Sequence, residues 1–294
     1  MFYRRKIILS LLEAFEGQLE RLRMQKLLFL FTKNQSTPEY DFIPYKFGCF
    51  SYSANADLTT MISKGLLIER SAYLEKADKV SYLKTLKEGD RKLIFEIKKL
   101  YGRLDGHALM RHTYVNYPYF AINSVKASEI LSSEELLKVA EAKPAFDTTV
   151  LFTIGYEGIS LELYLNKLIK NNIKVLIDVR KNPLSMKYGF SKSLLSKFCE
   201  SIGIKYLHFP EVGIDSDQRQ ELNQQSDYDR LFNAYERDNL KRTQDTQKKI
   251  LDILKLNKRI ALTCFEANIC QCHRKPLAES IRALKGFNFE LKHI

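Results

Sequence analysis

Long apolar runs and paired cysteines are largely missing from this sequence. None of its 294 residues lie in an apolar run long enough to span a bilayer, and no charged-then-apolar signal segment opens the chain. Its five cysteines are odd in number, and four fall in the second half, which does not suit a disulfide framework. We therefore expect a cytoplasmic protein with reduced thiols and no membrane partner.

Repeats and low-complexity stretches are also missing, whereas positive charge is plentiful. The formal net charge is +12. Residues 1–145 carry 23 Lys and Arg against 17 Asp and Glu, and the remainder carries 24 against 18, so each half contributes +6. An excess spread over both halves favours a polyanionic partner, and we expect nucleic acid, DNA above RNA, or a nucleotide.

The segment EAKPAFDTTV marks a change of pattern near residue 146. A polar helical stretch ends before Pro144, and a β-branched run begins at Thr148. The sequence therefore predicts two domains, residues 1–146 and residues 147–294.

The first half has helical periodicity followed by short extended runs. Apolar residues recur at three and four positions in RRKIILSLLEAF and RLRMQKLLFLF. A further helix is predicted from about Ser53 to Lys64, ended by Gly65. Two strand-like runs follow, LLIER and VSYLKTL. This order indicates a mainly helical, winged-helix-like domain.

Three motifs of the first half, MQKLLFLF, YDFIPYKFGCFSYSANADLTTMISKGLL and HTYVNYPYFAINS, carry a resemblance. They resemble small bacterial winged-helix-like proteins that are grouped with antitoxins of the SocA type. The resemblance implies a regulatory or recognition module.

The second half alternates short aliphatic strands with helices. The runs VLFTIG, KVLIDVR, IKYLHF, RIALTCFE and FNFELKHI predict strands of a mostly parallel, Rossmann-like α/β sheet. Right-handed crossovers place the carboxyl ends of parallel strands at one edge, where ligands bind in such folds. We expect one crevice from the polar residues that follow the strands: Gly155, Tyr156, Glu157, Gly158, Asp178, Arg180, Pro210, Glu211, Gly213 and the segment from Glu266 to Arg274.

The motifs TIGYEG, LIDVRKNPLSMKYGFSKSLLSKFCESIGIKYLHFPEVG and LTCFEANICQCHRKPLAESI resemble the family called domain of unknown function 488, over nearly all of residues 149–285. The resemblance implies an α/β fold, a polar pocket built by the Asp-Val-Arg and Cys-His-Arg motifs, and an association with bacterial conflict systems and modified nucleic acid. The family's first motif is closer to Gly-His-Ser than to Gly155-Tyr156-Glu157, so no hydroxyl or imidazole role transfers to that turn.

The segment around CQCHR is open to a metal interpretation. Cys264, Cys270, Cys272 and His273 contain a Cys3His set, but five, one and zero residues separate them, whereas zinc ligands usually come in pairs two to four apart. Adjacent Cys272 and His273 are also poorly placed to reach one ion. We therefore expect no cofactor, with zinc as the minor alternative.

A second interpretation makes Cys272 a nucleophile. It precedes a helix whose first turn holds Pro276, and the helix N-terminus together with Arg274 is expected to lower the pKa of the thiol.

A third interpretation is an anion pocket. Arg180 and Arg274 would clamp a phosphate beside the Gly155-Tyr156-Glu157 turn, and His273 would donate or carry a proton. Glu266 and Asp178 are then acid–base candidates, or they form buried ion pairs with Arg274 and Arg180. The favoured hypothesis is an enzyme that cleaves or edits a base or nucleotide, in the manner of a glycosidase. The alternatives are a DNA-binding sensor without turnover and an antitoxin-like interaction protein.

Overall fold

The computed structural model describes residues 1–215, 218 and 222–294. The chain divides into two compact units, Met1–Lys143 and Pro144–Ile294. The first unit is mostly helical and the second is α/β with a parallel sheet, so the predicted fold class is confirmed. Within the described part of the chain, no helix combines the length and apolar character needed to cross a membrane.

The first unit consists of helices around two small antiparallel sheets. One sheet has the order β1-β5-β4, and the other pairs β2 with β3. The elements are α1 (Tyr3–Ala14), β1 (Gln18–Glu20), α2 (Arg21–Asn34), β2 (Ile43–Tyr45), β3 (Gly48–Phe50), α3 (Tyr52–Ser63), β4 (Leu67–Arg70), β5 (Tyr73–Lys76), α4 (Glu88–Tyr101), α5 (Gly106–Asn116), α6 (Ala127–Ile130) and α7 (Ser133–Ala142).

Helices α1 and α2 each supply six residues to the main core of this unit.

Helix α3 begins at a side-chain cap. The hydroxyl of Ser51 accepts a hydrogen bond from the Ala54 N–H at 3.1 Å, which satisfies a donor that the first helical turn leaves without a partner. Gly65 follows α3 with a φ of +68°. The predicted helix and its glycine stop are therefore confirmed.

Of the two strand-like runs predicted in the first half, LLIER and VSYLKTL, the second is wrong. VSYLKTL forms no strand, and Leu83–Thr85 within it is a single turn of 3-10 helix. The partner of β4 is β5, which comes directly after a two-residue turn whose first residue, Ser71, has a φ of +55°. Residue Leu74 of β5 is fully buried while Tyr73 is exposed. With a single buried apolar residue among charged ones, the sequence of β5 has no clear strand pattern.

The second unit is built on five parallel strands in the order β10-β6-β9-β7-β8. All five predicted strands are confirmed. The elements are β6 (Val150–Gly155), α8 (Leu161–Lys170), β7 (Val175–Asp178), α9 (Lys192–Ser201), β8 (Lys205–His208), α10 (Gln225–Ala234), a π-helical segment (Tyr235–Leu240), α11 (Gln244–Asn257), β9 (Arg259–Cys264), α12 (Arg274–Arg282) and β10 (Glu290–His293).

Strand β9 enters the sheet late in the chain and lies between β6 and β7. All six of its residues are buried, as are all four residues of β7. Because every pairing is parallel, the segments that follow β6, β7 and β9 leave the sheet at the same edge. The polar residues of the sequence motifs are in these three segments.

Glycines 48 and 65 allow a test of local packing in the first unit. Both have positive φ, but a Cβ at Gly48 would lie 2.4 Å from the ring of Tyr114, whereas a Cβ at Gly65 meets nothing within 4 Å. Gly65→Ala should therefore cost about 1 kcal/mol of unfolding free energy, from backbone strain alone. Gly48→Ala should cost about 3 kcal/mol, because the aromatic ring must also move. Hydrogen exchange of the most protected amides of α2 measures both losses, and equal losses would contradict this packing.

Candidate functional site

A pocket opens at the carboxyl edge of the parallel sheet. Its volume is about 300 Å³, at the lower end of the range for small-ligand sites. It combines four charged or polar side chains, those of Arg180, Lys181, Asn182 and Ser185, with apolar and aromatic ones. The lining residues are Tyr156, Arg180, Lys181, Asn182, Leu184, Ser185, Ile214, Cys264 and Phe265. The segments after β6, β7 and β9 all contribute, as the strand pattern predicted.

Asp178 and Arg180 form a buried, two-pronged ion pair at the end of β7. Arg180 Nε lies 2.8 Å from one carboxylate oxygen of Asp178, and Nη2 lies 2.5 Å from the other. Asp178 is fully buried and Arg180 is 6% exposed. The phenol of Tyr206 also donates to Asp178 at 2.6 Å. Both carboxylate oxygens of Asp178 therefore accept hydrogen bonds from within the protein. This arrangement is more typical of a structural ion pair than of an acid–base group.

The remaining nitrogen of Arg180 is also directed into the protein. Its Nη1 donates to the Tyr156 hydroxyl at 2.7 Å and to the backbone oxygen of Phe190 at 2.9 Å. The guanidinium lies over the Tyr156 ring, which stacks on Phe190 with centroids 4.2 Å apart. Burial opposes the charge, but Asp178 outweighs it and raises the pKa of Arg180. Arg180 thus holds the pocket wall in place, and a phosphate would have to compete with four internal hydrogen bonds.

The turn after β6 is tied to the segment after β9. A Cβ at Gly155 would lie only 2.0 Å from the backbone oxygen of Glu266, so only glycine fits there. The N–H groups of Tyr156 and Glu157 both donate to the backbone oxygen of Phe265, at 3.0 and 2.9 Å. The exposed Glu157 accepts from the Ala267 N–H at 2.9 Å. Of this predicted substrate-binding turn, Tyr156 alone lines the pocket; Gly155 and Glu157 anchor its rim.

Arg274, the first residue of α12, is almost completely buried, with 1% of its surface exposed. Its Nη2 donates to the backbone oxygen of Glu266 at 2.5 Å, and its Nε donates to Cys272 Sγ at 3.1 Å. The guanidinium therefore links the loop after β9 to the start of α12. Arg274 does not line the pocket. Arg180 and Arg274 therefore do not form the predicted clamp around an anion in this pocket.

Cys264, Cys272 and His273 come together in a buried cluster. Their two sulfurs and one ring nitrogen all lie within 4.8 Å of one another. The expectation that neighbouring Cys272 and His273 cannot reach one point is wrong, because the backbone turns between them. Cys272 is extended (φ −130°, ψ 135°) and His273 is helical (φ −62°, ψ −12°). Cys270 is exposed and lies outside the cluster, with its sulfur 3.7 Å from Lys275 Nζ.

The predicted activation of Cys272 is also wrong. Burial raises the pKa of this thiol well above its ordinary value, nearby Cys264 and Glu266 raise it further, and Arg274 offsets only part of the effect. The thiol is fully buried, so a substrate in the pocket does not meet it. A raised pKa disfavours the thiolate, which is the nucleophilic form of cysteine.

His273 and Glu266 differ in their access to the pocket. His273 is fully buried, and its Nε2 lies 3.0 Å from the backbone oxygen of Val179. Glu266 is half-buried, and its Oε2 lies 3.1 Å from the sulfur of Cys264, a residue of the pocket wall. Of the predicted acid–base candidates, Glu266 is the one placed beside the pocket with partial exposure.

Sequence reasoning overlooked the polar residues that do reach the pocket. Lys181 and Asn182 are exposed and directly follow Arg180, and Ser185 lies three residues further on. Their signal was present in the run DVRKNPLS, where two polar residues follow a buried strand end. Anion binding was predicted for Arg180 and Arg274 instead, because arginine typically binds anions through two parallel hydrogen bonds.

A comparison with protein-family models matches part of the second half of the chain. Residues 160–281 match the family model described as Domain of unknown function DUF488. The resemblance of the second half is thereby confirmed over this range, which includes Asp178, Arg180 and the Cys264–Arg274 segment. Among curated proteins, no sequence matches the chain.

The structural role of Asp178 can be separated from a chemical one. Asp178→Asn leaves Arg180 buried opposite a neutral group and should lower the unfolding free energy of the second unit by about 3 kcal/mol. Tyr206→Phe removes one hydrogen bond to the same carboxylate and should cost about 1 kcal/mol. Hydrogen exchange of the β9 amides measures both changes. A stable Asp178→Asn protein would show instead that the ion pair does not hold this edge together.

Proposed function

We propose that the protein binds nucleic acid, and that the pocket at the carboxyl edge of its α/β unit holds one nucleotide, on which Glu266 acts as the acid–base group of a hydrolytic reaction. The observation that carries this proposal is the composition of the pocket. An exposed lysine, an amide and a hydroxyl share the pocket with an exposed aromatic ring, and the half-buried Glu266 contacts the lining residue Cys264.

The polar side of the pocket suits a phosphate. Lys181 is 43% exposed, and its Nζ lies 3.7 Å from the exposed Asp215 carboxylate, a contact that contributes little in water. A phosphate can replace that partner at small cost. Asn182 and Ser185 add neutral hydrogen-bonding groups to the same wall.

The apolar side suits a nucleobase. Phe265 is 43% exposed and Leu184 is 75% exposed, so both present apolar surface to solvent at the pocket. Bases stack on exposed aromatic rings with little dependence on their sequence. Phe265 contacts Tyr156 edge-to-face at 5.3 Å, which holds the ring while leaving part of it accessible.

The location of Glu266 beside the pocket, partly shielded from water, supports an acid–base role in hydrolysis of a glycosidic bond. In that reaction the bond between sugar and base breaks, and the oxygen of a water molecule bonds to the sugar carbon. The proton that Glu266 removes from the water ends on the departing base. A sensor would use the same pocket and lack this step, and it is the second candidate because Asp178 and His273 are committed to internal partners.

In the proposed function, the first unit binds DNA. Its elements follow the order α1-β1-α2-β2-β3-α3-β4-β5, and the sheet β1-β5-β4 ends in the β4–β5 hairpin, which supports a winged-helix-like interpretation with that hairpin as the wing. The resemblance of its motifs to SocA-type proteins agrees with a recognition module. Its share of the positive charge would provide the sequence-independent part of the affinity.

Lys181→Ala tests the phosphate contact. The variant should bind single-stranded DNA several-fold more weakly, and the slope of log affinity against log salt should fall by about 1. Lys174→Ala removes the same charge from an exposed residue just before β7, at the opposite edge of the sheet, and should leave the slope unchanged. If both variants bind like the parent protein, the pocket does not hold a phosphate.

Glu266→Gln tests the chemistry. Labelled single- and double-stranded DNA and RNA are incubated with the protein and run on a denaturing gel. Only the DNA is first treated with mild alkali, which breaks DNA strands at abasic sites but would cleave RNA everywhere. The parent protein should yield cleaved product, Glu266→Gln should bind without yielding it, and Glu290→Gln, at the start of β10, should behave like the parent protein. Binding without cleavage by the parent protein favours the sensor. If no nucleic acid binds, the proposal fails, and co-purification of a small acidic protein would favour the antitoxin-like alternative.

A further inference from the structure

We propose that Cys264, Cys272 and His273 bind a zinc ion through two thiolate sulfurs and the ring nitrogen Nδ1. The proposal goes beyond the nucleotide pocket, because Cys272 and His273 lie outside the pocket lining, all three ligands are buried, and no nucleotide is needed to bind the ion. It reverses the expectation drawn from spacing, which included Cys270 and disfavoured a metal.

The distances match those of a tetrahedral zinc site before the ion contracts it. Zinc–sulfur and zinc–nitrogen bonds of about 2.3 and 2.0 Å, at tetrahedral angles, place sulfur and nitrogen roughly 3.5 Å apart. His273 Nδ1 lies 3.7 Å from Cys264 Sγ and 4.0 Å from Cys272 Sγ. Movements of a few tenths of an ångström bring Nδ1 to this distance from each sulfur, and all three ligand atoms lie within 4.8 Å of one another.

The far side of the imidazole is arranged as in a metal-bound histidine. Nε2 of His273 lies 3.0 Å from the backbone oxygen of Val179, which can only accept a hydrogen bond, so the proton is on Nε2. In the neutral ring, Nδ1 then carries the lone pair and faces both sulfurs. A backbone carbonyl that fixes the tautomer is the usual outer partner of a zinc-bound histidine.

The charge balance around the sulfurs also suits an ion. Two buried thiolates need compensation, which zinc supplies directly. Arg274 adds a charge-assisted hydrogen bond from Nε to Cys272 Sγ at 3.1 Å. Two sulfurs and an imidazole form a soft ligand set, which favours zinc over magnesium or calcium.

The fourth coordination position faces Glu266. Its Oε2 lies 3.1 Å from Cys264 Sγ, and Cys264 is itself a residue of the pocket wall. Glu266 is not one of the clustered ligands, and we propose that it holds a water molecule that completes the coordination. Three protein ligands with a fourth position toward a pocket are typical of catalytic zinc sites, whereas structural sites use four protein ligands.

Metal binding is tested on the full-length protein without nucleic acid. Elemental analysis of protein purified without chelator should find one zinc ion per chain. After dialysis against a chelator, titration with Co²⁺ should produce thiolate-to-cobalt charge-transfer absorption and the intense visible bands of a tetrahedral site, and Zn²⁺ should abolish both. A chain that contains no zinc and gives no such absorption overturns the proposal.

Variants assign the ligands. Cys272→Ser and His273→Asn should lose the stoichiometric zinc, whereas Cys270→Ser, in the same loop but outside the cluster, and Cys199→Ser, buried in α9, should keep it. Loss of zinc in Cys270→Ser would contradict the assignment. If the ligand variants fail to fold, the cobalt spectrum of the parent protein still decides whether thiolate and nitrogen ligands are bound. Zinc binding without nucleic-acid binding would separate this site from the proposed function.

Discussion

The parallel pairing of β9 with β6 on one side and β7 on the other is the constraint on which the second unit depends. It brings Gly155, Asp178 and Cys264, which are far apart in the chain, to one edge of the sheet. The hydrogen bonds from Tyr156 and Glu157 to Phe265, and from His273 to Val179, then join the three segments above that edge. Without β9 in the middle, neither the pocket nor the sulfur cluster would exist.

Two buried arginines hold this edge together from within. Arg180 joins the end of β7 to Tyr156 and Phe190, and Arg274 joins the segment after β9 to α12. Residues that resemble an anion clamp in the sequence therefore act as internal braces. In the proposed function, Lys181 binds the anion instead, because its charge is exposed and weakly paired and it can exchange one partner for another at little cost.

Much of the fold was predictable, and the roles of the side chains were not. The five strands and their common edge follow from aliphatic runs that alternate with helices, because a buried parallel sheet requires that pattern. Strand β5 was not predicted, because Leu74 is its one fully buried residue and charged residues surround it. Whether Arg180 and Arg274 are braces or ligands depends on how many internal acceptors surround them, which spacing does not encode. The side chains of Cys272 and His273 come close together because the backbone changes from extended at Cys272 to helical at His273, and ligand spacing in the sequence does not reveal this change.

The measurement that tests this account most directly is a map of amide chemical shifts in the full-length protein during titration with a nucleoside monophosphate. A ligand in the pocket should shift the amides of Lys181, Asn182, Ser185 and Phe265 together, at one saturating concentration, while Lys174 and Glu290 at the opposite edge stay unchanged. Shifts confined to the first unit, or to the opposite edge of the sheet, would contradict the claim that the carboxyl edge is the binding site.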